Sequence, residues 1–137
     1  MRHPAPPAVR DRWLASGAWT DDTPLARLVD CDPSGPALVD GEERIDAGTL
    51  RTRAADLAGA LAADYGVGPG DIVTWQLPNW WEAVVLTYAC WWIGAVPSPI
   101  TPTLRDHEVG YILGATSARL HVVPAAFRGT EIGRAHV

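Results

Sequence analysis

Gly66-Val67-Gly68-Pro69-Gly70-Asp71-Ile72-Val73-Thr74-Trp75-Gln76-Leu77-Pro78-Asn79 is the stretch on which the fold turns. Three glycines and a proline within residues 66–70 stop whatever precedes them. Residues 71–77, with Ile72 and Val73 at their centre, then have the apolar and β-branched content of a strand, which Pro78 closes. Upstream, Leu50, Ala54, Leu57, Ala58 and Leu61 recur at i, i+4, i+7, i+8 and i+11. That is the stripe of an amphipathic helix, which Asp46 can cap and Gly66 can end. Downstream, Asn79 followed by Glu82 predicts a capping-box start to a helix from Trp80 to about Ile93, apolar on nearly every side. A phosphate cradle needs a loop that leaves a strand and opens a helix, so that N–H groups point at the anion. Residues 66–70 have the reverse order and read as a helix stop and turn.

The same alternation continues outward. Gly94 ends the apolar helix, a short strand follows over residues 95–98, and Pro97, Pro99 and Pro102 hold the chain extended beyond it. A helix over about residues 105–116 shows Val109, Ile112 and Leu113 on one face, and residues 120–123 supply a last strand. On the N-terminal side, residues 1–9 read as a loose arm. Trp13 to Trp19 lead to a short helix with Thr23 as N-cap and Pro24 as first helical residue, and residues 33–36 end it. Residues 37–40, the Gly41-Glu42-Glu43 turn and residues 44–45 predict a hairpin. Strands alternating with helices imply parallel pairing through right-handed crossovers. The expected fold class is therefore α/β, a partial doubly wound parallel sheet with flanking helices.

Composition narrows the class further. The 137 residues are 47% hydrophobic, enough for one domain with its own core. A net charge of −5, with arginines scattered among carboxylates, argues against nucleic acid as a partner. Residues 1–9 lack the apolar core of a signal peptide, and the uncharged run 83–96 falls short of the about 20 residues a membrane crossing needs. Cys31 and Cys90 match no metal spacing, and a buried structural thiol at Cys90 suits a reducing cytoplasm.

Candidate chemistry is sparse. Seven tryptophans include the pairs Trp80/Trp81 and Trp91/Trp92. Residues 80, 84, 88 and 91 share one helical face and Trp81, Val85 and Trp92 the next, a pattern read as core packing over a ligand platform. His107 and His121 have no ligand-type neighbour at metal spacing. Ser34, Ser98 and Ser117 lack a nucleophile-elbow context, and Asp21-Asp22 and Glu42-Glu43 read as caps or solvated turns. No catalytic, cofactor-binding or metal residue is assigned.

Three stretches, in order, resemble the adenylate-forming family of AMP-forming acyl-CoA synthetases, luciferases and peptide-synthetase adenylation domains. Ile45-Asp46-Ala47-Gly48-Thr49-Leu50 is similar to the first core motif, with Ala47 in place of its usual aromatic. Gly66-Val67-Gly68-Pro69-Gly70-Asp71-Ile72-Val73 with Leu77-Pro78-Asn79 resembles the turn, strand and second helix start. Gly94-Ala95-Val96-Pro97-Ser98-Pro99 resembles the second core motif, and Glu108-Val109-Gly110-Tyr111-Ile112-Leu113 the helix after it. Gln76 to Glu82 and Gly17 to Asp21 look like ligases of medium-chain or alicyclic carboxylic acids.

The resemblance implies a parent enzyme that uses ATP, Mg²⁺ and CoA to turn a small carboxylic acid into an acyl adenylate and then a thioester, a ligase of the kind found in fatty acid metabolism. It also implies that the family's phosphate loop, nucleotide-contacting carboxylates and catalytic lysine lie downstream. This sequence contains no lysine at all. The expectation is an inactive N-terminal fragment holding no cofactor, with self-association of its apolar surfaces. Residues 1–22 are read as an arm and 23–130 as the first part of the synthetase domain. Residues 131–137, Glu-Ile-Gly-Arg-Ala-His-Val, are what GAGATCGGAAGAGCACACGTC would encode, a string that resembles a sequencing-library adapter, and are read as a non-native tail. The alternatives are a non-catalytic Trp-rich interaction module and a small flavodoxin-like binding domain.

Overall fold

The computed structural model describes residues 6–19 and 32–125. Its elements run α1 Pro7–Ala15, β1 Pro36–Asp40, β2 Glu43–Asp46, α2 Ala47–Tyr65, β3 Ile72–Trp75, α3 Trp81–Trp92, β4 Val96–Pro99, α4 Asp106–Thr116 and β5 Leu120–Val122. β1 and β2 form the expected antiparallel hairpin. Asp46 closes it and starts α2, its carboxylate accepting the Thr49 N–H at 2.6 Å. Gly66 stops α2 at φ 63°, a left-handed conformation that costs glycine nothing. In the turn that follows, the Gly68 N–H donates to Asp71 Oδ2 at 2.9 Å and the Gly70 N–H to the Gly94 carbonyl at 2.8 Å. The start of β3 is thereby tied to the end of α3.

β3 lies between β4 and β5 and pairs in parallel with both. The first crossover moves to a neighbouring strand and the second passes back over β3. Right-handed connections then put α3 and α4 on opposite faces, the doubly wound arrangement expected. In register, Val73 stands beside Leu120 and Trp75 beside Val122. That face meets Ala58 and Leu61 of α2 and Leu86, Ala89 and Cys90 of α3 in the main core. A second cluster of Ile45, Leu50 and Val85, with Leu38 and Trp81 packed on it, fastens the hairpin to the two helices.

Local readings are corrected in three places. Residues 7–9 are not loose: they open α1, with Pro7 in the first turn, where a missing N–H costs nothing, although α1 buries no residue. Asn79 does not cap α3. The N-cap position is Trp80, with no side-chain cap bond of its own, and the Asp40 carboxylate from β1 accepts the Trp81 N–H at 3.1 Å. Pro97 and Pro99 sit inside β4 rather than leading away from it. Val96 and Ile100 donate their N–H groups to the Asp71 and Trp75 carbonyls, both at 2.8 Å, so the prolines fall on the alternate positions that face away from β3. His107 lies in the first turn of α4, within the helix expected over about residues 105–116. The Thr23–Pro24 helix start, Cys31, Asp21-Asp22 and the tail 131–137 lie outside the described residues.

Candidate functional site

One face of the sheet carries polar side chains in its interior. Thr74 is fully buried and Gln76 nearly so. Thr74 Oγ1 lies 3.2 Å from the Leu120 carbonyl, to which it donates, and 2.9 Å from His121 Nδ1, directly beside it in register. If its single proton goes to Leu120, the hydroxyl accepts from a protonated Nδ1, so the pair fixes the tautomer of a neutral imidazole. Burial lowers the pKa of His121, and its contact with Thr74 opposes this. Gln76 reaches past the end of β3, its Nε2 donating to the Thr101 and Leu104 carbonyls, each at 3.2 Å. The connection from β4 to α4 is thereby pinned at the carboxyl end of the sheet, the end where open α/β sheets bind ligands.

Beside that end lies a groove of about 540 Å³, walled by Trp75 at the end of β3 and Leu77 beyond it, by Trp80 before α3 and Val84, Tyr88 and Trp91 on it, and by Pro99 at the end of β4 and Ile100 beyond it. The helical spacing 80, 84, 88, 91 does put these side chains on one face. That face forms a wall rather than packing wholly into the core, and Tyr88 and Trp91 meet edge-on at 5.0 Å. Trp81, a quarter-turn round, packs into the second cluster beneath the Arg53 guanidinium, 4.4 Å above its ring. Trp92 is 42% exposed. Trp75 and Trp81 are thus packed, while Trp80 and Trp91 line the groove and Trp92 is exposed, as expected of some rings in a fragment.

Among the described residues that line the groove there is no carboxylate, imidazole or guanidinium, and the Tyr88 phenol is the one titratable group, so the lining suits apolar matter and supplies no charge to polarise a carboxyl. The other candidates are dispersed. Glu42 and Glu43 are exposed in the hairpin, Ser34 donates to Asp32 at 2.7 Å, and Ser117 ends α4 at φ 52°. Among the described residues no three His, Cys, Asp or Glu side chains gather as a metal set. Cys90 is fully buried and its thiol is pushed up to about 11 by that burial, the inert structural thiol expected. No helix among the described residues is long and apolar enough to cross a membrane. Asp40 as a cap and Gln76 as a loop anchor escaped the sequence reading, because each acts on residues 25 or more positions away.

The family model described as AMP-binding enzyme matches residues 25–136. The chain belongs to that family. A 2-hydroxy-7-methoxy-5-methyl-1-naphthoate–CoA ligase of Streptomyces carzinostaticus is 37% identical over 128 residues, which are 91% of this chain and 23% of that protein. A medium-chain fatty-acid–CoA ligase of Escherichia coli is 36% identical over 66 residues, 48% of this chain and 12% of its own length. Among solved structures, the N-terminal subdomain of Klebsiella oxytoca NpsA superposes with a TM-score of 0.68 at 24% identity, over 72% of this chain and 26% of that one. The chain therefore spans about a quarter of the length of the naphthoate ligase it matches. Its described residues share the fold of that N-terminal subdomain. Neither the Trp-rich interaction module nor the flavodoxin-like alternative is supported. The β3–α3 connection, Gln76-Leu77-Pro78-Asn79-Trp80, contains no glycine for close approach of an anion, and Asp40 already accepts an N–H at the helix N-terminus.

Proposed function

We propose that this chain is scaffold from the N-terminal part of an ATP-dependent carboxylate–CoA ligase. The parent would join an acid to AMP with release of diphosphate and pass the acyl group to CoA, using Mg²⁺. The observation that carries the reading is the coincidence of family match and topology: the three family-like stretches fall on β2–α2, on β3 and its approach, and on β4. Adenylation needs cations and oriented N–H donors at the α-phosphate, and losing even one such donor costs about 100- to 1000-fold in rate. The sequence has no lysine, and among the described residues no cationic side chain lines the groove. Cofactor binding and catalysis are accordingly assigned to the remainder of the parent, in the cytoplasm.

For the acid, an aromatic carboxylate is favoured over the medium-chain or alicyclic class suggested by residues 76–82. The naphthoate–CoA ligase matches nearly the whole chain and the fatty-acid ligase only half of it. The test is to recover the genomic reading frame, express the complete enzyme and measure acid-dependent AMP release with hydroxy-aryl and with C6–C12 straight-chain acids. Turnover of the aryl acids is expected, turnover of the straight-chain acids alone would restore the medium-chain assignment, and a frame encoding no ligase would overturn the proposal. The division into an arm (1–22), synthetase domain (23–130) and non-native tail (131–137) is part of the same proposal. Genomic DNA that encodes residues 131–137 followed by a stop would refute the tail.

A further inference from the structure

We draw no further inference here: the strongest candidate, the aromatic groove between α3 and the carboxyl ends of β3 and β4, is an unpartnered apolar surface, and nothing in the structure shows what covers it.

Discussion

Protonating His121 places a positive charge on a half-buried strand face whose recorded partner for the ring is the Thr74 hydroxyl. Because burial holds its pKa below the ordinary 6.5, the unfolded chain takes up this proton first on acidification. Stability rises with pH wherever the unfolded state binds more protons. The contribution is therefore intact above pH 6.5 and is lost as pH falls from there through the folded-state value. Urea midpoints at about pH 7.5 and 5.5 should differ more in the parent sequence than in His121→Gln, which cannot titrate; equal pH slopes in the two would remove His121 as the source. Gly66 makes a second residue-scale test. Its φ of 63° disfavours any β-carbon, and one built there would lie 2.9 Å from Arg119 Nη2. Gly66→Ala should cost about 1–2 kcal/mol by denaturant titration, from the left-handed backbone alone. Pairing it with Arg119→Ala should recover only the part due to the contact.

At the scale of elements, α3 is held at its start by a group from another element. Asp40→Ala removes the carboxylate that accepts the Trp81 N–H and should destabilise by about 1 kcal/mol, the usual worth of a cap, with faster amide exchange at residues 81–84. Asn79→Ala, at the position the local pattern marks as the cap, should change stability by less than about 0.5 kcal/mol. If Asn79→Ala proves the costlier change, the assignment of the cap to Asp40 is wrong. This contrast also shows what the sequence can and cannot disclose. Caps such as Asp46 and Gly66 act within five residues of themselves, so composition and spacing reveal them. So does the alternation of strand and helix that sets the parallel sheet. Asp40 reaches Trp81 across 41 positions, Gln76 reaches Leu104 across 28, and Thr74 reaches His121 across 47. These pairings exist only once the hairpin and the sheet have been assembled, and no local signal encodes them. The tryptophan pairs fall between the two cases. Their period fixes which rings share a face, but whether that face is covered depends on elements brought up from elsewhere.

At the scale of the whole molecule, the proposed scaffold role has separate consequences for packing and for chemistry. The framework closes one good core: Leu86, 3% exposed, lies with Val73 and Ala89 at its centre, and Leu86→Ala should cost about 2–5 kcal/mol. The surface is less complete. Trp92 at 42% and Val96 at 47% exposure lie four residues apart where α3 passes into β4, Tyr111 on α4 is 76% exposed, and the groove adds further aromatic surface. Large apolar surface left in water drives association, and aromatic rings contribute most area per residue. The purified chain should therefore show a molar mass that rises with concentration in light scattering. Trp92→Glu, which puts a charge on an already exposed position and leaves the core intact, should reduce that rise. ATP titrated calorimetrically into the chain should give no binding heat, and acid-dependent ATP–diphosphate exchange should stay at background, because no lysine is present to meet the reacting charges. A strictly monomeric chain would show that the exposed rings are too dispersed to associate and would leave the scaffold assignment standing. Exchange above background would instead place adenylation within these 137 residues and overturn the division of labour between this part and its parent.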